Sequence, residues 1–281
     1  MNFNKIYPYT TEYMRNYFIL FLFQLWITRA FLLYNTLFPI YRTLNNHIQG
    51  NLLPKLDANN ESKLIISTPG GLYGFYLLGI SSYVKRHQDL SKYIFSGASA
   101  GAWNSLFFAF KGNDTEFIDN LLKTNIQNAT SILQIEKRMK QYILENYKES
   151  DFDLEKINIG VTVMKFPFRF KLKIYNNFTN LEDTLDCCIA SSHIPFITGG
   201  LIHKYRNQVS FDGGFFKYPY ITSLLPSFTI HSGMWNSSYT VSNCSNNPLL
   251  QTKNHLNFTK LYLEGYKDSN HNRQTINDAM R

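Results

Sequence analysis

One serine stands in a pattern that can make it a nucleophile. The pentapeptide Gly97-Ala98-Ser99-Ala100-Gly101 reads G-x-S-x-G and lies between a β-prone stretch and a helical stretch of the sequence. In that context the pattern is typical of a nucleophile elbow, a sharp turn whose small residues lift the serine hydroxyl into a cleft. The positive end of the following helix then faces the negative charge that develops in acyl transfer. A chance turn of small residues is the alternative, and the position between strand and helix disfavours it.

A glycine-rich loop upstream fits the same chemistry. The stretch Pro69-Gly70-Gly71-Leu72-Tyr73-Gly74 also closes a predicted strand and opens a predicted helix. Its backbone N–H groups can stabilise an oxyanion, and we assign that site to Gly70, Gly71 and Gly74. A phosphate-binding loop is the alternative reading, because glycine-rich turns at helix N-termini also bind phosphate. The loop lacks a G-K-[ST] ending and an acidic residue about 20 positions on, so the oxyanion role is favoured.

An aspartate followed by two glycines can supply the base. Asp212-Gly213-Gly214 comes directly after an apolar strand end, Ser210-Phe211. Taken alone, Asp-Gly-Gly is more typical of an ordinary turn. In company with Ser99 it becomes a candidate general base, with Gly213 and Gly214 forming its loop.

The elements that must position these groups alternate between strand and helix patterns. Strands are predicted at Lys63 to Ser67, Tyr93 to Phe95, Ile157 to Met164 and Phe168 to Tyr175, and helical sequence at Leu72 to Val84, Ala102 to Phe110 and Glu116 to Tyr147. Such interleaving favours an α/β sandwich with a mixed or parallel sheet. Both glycine-flanked turns then lie where a strand passes into a helix.

The ordered set of motifs resembles the patatin-like phospholipase family, and especially its animal-type triacylglycerol lipase branch. In that family a glycine-rich oxyanion loop precedes G-x-S-x-G and then D-G-[GA], which correspond here to Pro69–Gly74, Gly97–Gly101 and Asp212–Gly214. The stretch Ala190-Ser191-Ser192-His193-Ile194-Pro195 also resembles the helix end that precedes the aspartate loop in the family. The resemblance covers the chain from about Lys63 to Tyr220.

The resemblance implies a fold and an activity. The fold is a three-layer α/β/α sandwich with a central mixed, mostly parallel sheet. The activity is that of a lipid acyl hydrolase, a serine carboxylic-ester hydrolase that cleaves fatty-acyl esters of phospholipids or acylglycerols. It implies a dyad of Ser99 and Asp212, an acyl-enzyme intermediate, and neither metal nor cofactor. The lipid and the position cleaved stay open.

Two departures from the family pattern keep alternatives open. Pro69 replaces the first glycine of the oxyanion motif and has no N–H to donate, which leaves Gly70 and Gly71 as the expected donors. Tyr73 stands where plant and bacterial members carry Arg or Lys. Pro69 and the long apolar N-terminus leave a catalytically weak, membrane-bound lipid-binding protein with the same fold as one alternative.

The other alternative is an α/β-hydrolase, in which the serine is followed along the chain by an acid and then a histidine. His231, His255 and His271 all lie beyond Asp212. His193, just before Pro195, is interpreted as a helix-end residue that shapes the pocket.

Composition indicates a folded protein that meets lipid. Of its 281 residues, 44% are hydrophobic and 16% aromatic, and the net charge is +8, which favours anionic surfaces. Nucleic acid is not expected as a partner, because the sequence lacks a clustered basic stripe, zinc-finger spacing and an aromatic RNA-binding signature. The three cysteines, Cys187, Cys188 and Cys244, are too few for a disulfide framework.

The N-terminal part of the chain differs from the rest. Residues 1–62 are predicted to form an apolar region and a polar linker, and residues 63–281 the acyl hydrolase domain. Within residues 14–41, two uncharged runs of about a dozen residues flank Arg29, whereas a membrane span needs roughly 20 residues. A membrane anchor is favoured over an apolar hairpin packed on the enzyme and over a cleaved signal. The protein is therefore predicted to be associated with a membrane or lipid-droplet surface.

Overall fold

The computed structural model describes residues 62–124, 126–165, 169–221, 225–235 and 257–281. The predicted anchor at residues 14–41 lies outside the described residues, as do Cys244 and His255. The boundary between an N-terminal region and a hydrolase domain stays a prediction. Among the described helices, none combines the length and the hydropathy needed to cross a membrane.

A mixed, mostly parallel sheet forms the centre of the fold, as expected. Its seven strands within the described residues are β1 Lys63–Ser67, β2 Tyr93–Gly97, β3 Ile157–Lys165, β4 Arg169–Tyr175, β5 His203–Tyr205, β6 Gln208–Phe211 and β7 Ser227–Ile230. The strand order is β5-β6-β3-β2-β1-β7, and β4 also pairs with β3. Strands β7, β1, β2 and β3 run parallel, whereas β3 pairs antiparallel with both β4 and β6.

Helices accompany this sheet in an arrangement consistent with the expected three-layer α/β/α sandwich. They are α1 Gly74–His87, α2 Ala100–Ala109, α3 Asp114–Lys123, α4 Ile132–Asn146, α5 Leu181–Ser191, α6 Phe258–His271 and α7 Arg273–Met280. The helical stretch predicted over Glu116 to Tyr147 is divided into α3 and α4. The second of these helices starts after Ser131, whose hydroxyl accepts the Gln134 N–H at 3.2 Å.

The helix that follows the glycine-rich loop is held from the far end of the chain. Phe75 in α1 stacks on Phe258 in α6 with ring centroids 4.3 Å apart. The Tyr76 hydroxyl donates to Asp268 Oδ2 at 2.6 Å. Packing of α6 on α1 therefore fixes the helix whose N-terminus forms one wall of the candidate site.

Candidate active site

Ser99 occupies the sharp turn between β2 and α2. Its φ of 54° and ψ of −128° lie outside the regions that serine normally adopts, a strain of about 1–3 kcal/mol that is typical of functional turns. The turn is also tightly packed. A Cβ at Gly97 would lie 2.1 Å from the Gly101 carbonyl oxygen, and a Cβ at Gly101 would lie 1.9 Å from that of Ser67. The predicted small residues are thus required by close backbone contacts.

A second serine holds the strained turn in place. The Ser99 N–H donates to Ser191 Oγ at 2.8 Å, and Ser191 Oγ donates in turn to the Gly160 carbonyl at 2.7 Å. Ser191 ends α5 and is fully buried. Its role was not predicted from the sequence, although it belongs to the stretch before Pro195 that carries part of the family resemblance.

The structure brings Asp212 to Ser99 across 113 positions of sequence. Ser99 Oγ donates to Asp212 Oδ2 at 2.7 Å, and both residues are 6% exposed. The other carboxylate oxygen, Oδ1, accepts the Gly214 N–H at 2.6 Å. Both oxygens are therefore engaged, and one of them is positioned to take the serine proton.

Backbone contacts fix the loop that carries Asp212. The Asp212 N–H donates to the His193 carbonyl at 2.7 Å, and Thr162 Oγ1 donates to the Asp212 carbonyl at 2.8 Å. A Cβ at Gly213 would lie 2.2 Å from the Gly160 carbonyl oxygen. The loop thus packs on β3 at a distance that only glycine permits.

Burial changes the acidity of the candidate base. It raises the pKa of Asp212 to about 6, while the hydrogen bonds from Ser99 and Gly214 oppose the shift. A carboxylate with a higher pKa is a stronger base, and at neutral pH this one is still mostly ionised. Asp212 is thereby better suited to proton transfer than an exposed aspartate.

The histidines in the described part of the chain do not complete a triad. His193 is buried, with its ring centroid 5.4 Å from that of His203, and it meets the aspartate loop through its backbone carbonyl. His231 and His271 are exposed. The Asp212 carboxylate takes its hydrogen bonds from Ser99 and Gly214. The interpretation of His193 as a helix-end residue that shapes the pocket stays a prediction.

The glycine-rich loop forms a short 3-10 turn at Gly71–Tyr73, with Gly71 at a φ of 52°. The predicted helix consequently begins at Gly74, two residues later than expected. The Gly74 N–H donates to the Gly71 carbonyl, so it is already used within the turn. A Cβ at Gly74 would lie 2.8 Å from the Ala100 Cβ. Gly74 therefore brings α1 close to the elbow and offers no free donor.

Three other N–H groups are candidate donors to an oxyanion. Those of Gly70, Gly71 and Ala100 make no hydrogen bond within the described residues. Gly71 and Ala100 line the same cavity as Ser99. Ala100 was missed in the sequence analysis, although the first N–H groups of any helix lack intrahelical acceptors.

An apolar cavity opens beside the pair of Ser99 and Asp212. Side chains from α1 to α4 line most of it, among them Phe75, Leu78, Phe107, Leu121, Ile135 and Met139. The described residues hold no cluster of three or more His, Cys, Asp or Glu that could hold a metal ion. The arrangement can perform nucleophilic acyl transfer: a hydroxyl, a carboxylate base, backbone donors and an apolar pocket meet at one point.

Comparison with known proteins adds only distant structural similarity. No family model matches the chain, and no curated protein is significantly similar to it in sequence. The crystal structure of VipD from Legionella pneumophila aligns with a TM-score of 0.36 and 13% sequence identity. The alignment covers 60% of this chain and 49% of that one. A functional proposal therefore rests on the geometry of the site.

Proposed function

We propose that the protein is a serine acyl hydrolase of the patatin-like type that cleaves fatty-acyl esters of phospholipids or acylglycerols. The observation that carries the proposal is the 2.7 Å hydrogen bond from Ser99 Oγ to Asp212 Oδ2 at a strained strand-to-helix turn. The family resemblance of the three glycine-rich motifs supports the same assignment.

The reaction proceeds in two acyl-transfer steps. Ser99 Oγ attacks the ester carbonyl carbon while its proton passes to Asp212 Oδ2. The tetrahedral oxyanion accepts hydrogen bonds from the N–H groups of Gly70, Gly71 and Ala100. As this intermediate collapses, the leaving alcohol takes the proton from Asp212, and the acyl group remains on Ser99.

Water then hydrolyses the acyl-enzyme with the help of the same groups. Asp212 removes a proton from the water molecule, and the resulting hydroxide adds to the acyl-enzyme carbonyl. Collapse of the second intermediate returns the proton to Ser99 Oγ and releases the fatty acid. Within the protein, only Ser99 and Asp212 exchange protons, and the backbone N–H groups contribute hydrogen bonds to the oxyanion.

The apolar cavity supports a fatty-acyl chain as the group transferred. It begins at Ser99 and is lined mainly by aliphatic and aromatic side chains. Each methylene buried in such a cavity contributes about 0.8 kcal/mol. Binding energy gained along the chain is available to hold the ester carbonyl against Ser99.

The direct test is hydrolysis by the full-length protein. We expect turnover of medium-chain p-nitrophenyl esters without added metal, at a rate that EDTA leaves unchanged, because the proposed chemistry needs only side chains and backbone donors. The assay follows p-nitrophenolate release, with a Ser99→Ala preparation as the blank. Activity that EDTA abolishes and calcium restores would contradict the proposal.

We further propose that the site meets its substrate at a membrane or lipid-droplet surface. Exposed apolar side chains lie on the two loops that contribute Ile194 and Asp212 to the cavity, namely Phe196, Leu201, Ile202, Phe215 and Tyr218. Lys204 and Lys217 are exposed near them in sequence. Apolar side chains beside cations are suited to an interface with anionic lipid. Residues 14–41 remain a predicted second contact.

Substitution of these exposed apolar side chains is expected to lower activity on vesicles selectively. We expect the double variant Ile202→Ser, Tyr218→Ser to hydrolyse phospholipid in anionic vesicles about tenfold more slowly, because roughly 1–2 kcal/mol of apolar burial is lost. Hydrolysis of a soluble short-chain ester should be unchanged. Leu263→Ser is the matched control, since Leu263 is equally exposed on α6. Equal vesicle rates for the double variant and the control would refute the docking surface.

A further inference from the structure

A buried carboxyl group interrupts the apolar lining of the cavity. Glu136 lies on α4 and is only 4% exposed. It shares its cavity-facing side of the helix with Ile132, Ile135 and Met139. Among the described residues that line the cavity, the only other ionisable one is Asp212. Glu136 takes no part in the proposed acyl-transfer steps.

Ser192 is the polar neighbour of the Glu136 carboxyl group. Ser192 Oγ donates its single proton to the Cys188 carbonyl at 3.0 Å and accepts the Trp103 indole N–H at 3.2 Å. The Ser192 hydroxyl is therefore already engaged by two other groups.

Burial and a neighbouring charge keep Glu136 neutral. Burial raises its pKa well above the ordinary value, and the nearby Asp212 charge adds to the shift, while the interaction with Ser192 opposes it. Two carboxylates in one apolar cavity repel each other, so one of them stays neutral. Asp212 keeps its negative charge for catalysis, and Glu136 is the neutral partner.

One oxygen of Glu136 is left without a partner. Oε2 is buried and makes no hydrogen bond within the described residues. A buried acceptor without a donor is energetically unfavourable, because it has lost its hydrogen bonds to water. Binding pockets combine apolar walls with a few polar groups that fix the orientation of the ligand. A ligand that brings a hydroxyl group would satisfy this oxygen.

We infer that Glu136 is a specificity residue, and that the cavity favours esters with a hydroxyl group able to reach Glu136 Oε2. The inference rests on the proposed acyl hydrolase function. The hydroxyl can come from a hydroxylated acyl chain or from a free glycerol hydroxyl, because both offer the same donor. An ester without it leaves Oε2 unpaired in the complex, and this penalty disfavours that ester.

Two substrate series separate the sources of the hydroxyl. The first compares p-nitrophenyl decanoate with its 3-, 5-, 8- and 10-hydroxy derivatives. The second compares 1-monodecanoylglycerol with tridecanoylglycerol in the same detergent. For the full-length protein we expect kcat/KM to be at least tenfold higher for one hydroxylated substrate than for its plain counterpart. The series in which this preference occurs identifies the source.

Two substitutions of similar size assign the preference to the carboxyl group. Glu136→Met removes the acceptor, so we expect the hydroxylated-to-plain ratio of kcat/KM to fall about tenfold. Glu136→Gln keeps a carbonyl oxygen at the same position and should retain most of the preference.

The outcomes distinguish the two proposals. If the wild-type protein hydrolyses plain esters with no preference in either series, the role of Glu136 is overturned while the hydrolase function stands. A preference for hydroxylated esters that persists in Glu136→Met also overturns the role of Glu136. If no ester is hydrolysed by a folded protein, both proposals fail. If Glu136→Met fails to fold, the wild-type comparison of hydroxylated with plain esters decides the role of Glu136.

Discussion

Replacement of Ser99 by alanine is expected to lower the turnover of p-nitrophenyl esters by ~10³-fold or more, the scale seen when a nucleophile is removed. Ser99 Oγ is the atom that forms the acyl-enzyme, and alanine offers no substitute for it. The measurement is the rate of p-nitrophenolate release at saturating ester, with circular dichroism as the check on folding.

Ser67→Ala is the matched control for this variant. Ser67 is a fully buried serine at the end of β1, next to the elbow, and its hydroxyl makes no hydrogen bond within the described residues. Its loss should change turnover by less than about threefold, well under 1 kcal/mol in barrier. A folded Ser99→Ala protein that keeps more than a tenth of the activity would show that another residue is the nucleophile.

Replacement of Asp212 by asparagine should lower turnover by a similar factor of ~10³. The amide keeps the shape of the side chain, and its oxygen can still accept the Gly214 N–H. Its nitrogen would face Ser99 and can only donate, so the serine proton has no acceptor. For the wild-type enzyme, the same logic predicts that activity falls as the pH drops through about 6, where Asp212 becomes protonated.

The same substitution should stabilise the fold at alkaline pH. Because the pKa of Asp212 is raised from 3.8 to about 6 by burial, the folded protein binds its proton more tightly than the unfolded chain does. This contribution to stability is present below the unfolded pKa and is lost as the pH rises through about 6. Asp212→Asn has no such loss, so we expect it to be more stable than the wild-type protein at pH 8 by roughly 1–3 kcal/mol.

Urea unfolding at pH 4 and pH 8 measures this difference. At pH 4 the two proteins should differ far less, because Asp212 is then protonated in the folded state. Asp119→Asn, at an exposed position of α3, is the control for removal of a surface charge. An Asp212→Asn protein that is less stable than the wild-type protein at pH 8 would contradict a buried carboxylate with a raised pKa.

The sequence predicted the parts of the site that depend on a few neighbouring residues. Gly97 and Gly101 flank Ser99 because the turn itself requires them, and the glycines after Asp212 serve the same purpose in their loop. A strand that ends at a glycine-flanked serine or aspartate can be recognised from this short pattern alone. The central sheet followed from the same alternation of short apolar runs with helical stretches.

The parts that could not be predicted depend on contacts between distant segments. Ser191 reaches the Ser99 backbone only because α5 packs behind the elbow, and Glu136 enters the cavity only because α4 covers it. In the sequence, Glu136 is one charged residue on an amphipathic stretch, which normally indicates a solvated face. The helices α6 and α7 had no local signal of their role, since their partner α1 lies far away in the chain.

Covalent labelling with a fluorophosphonate tests the central claim most directly, because only an activated serine reacts with it. With the full-length wild-type protein, mass spectrometry should find one adduct, on the peptide that contains Ser99. The adduct should be absent from Ser99→Ala and form far more slowly with Asp212→Asn. Single alanine variants of His193, His231, His255 and His271 should be labelled at rates near that of the wild-type protein. An unlabelled, folded wild-type protein, or a histidine variant that labels as poorly as Ser99→Ala, would contradict a Ser99–Asp212 dyad.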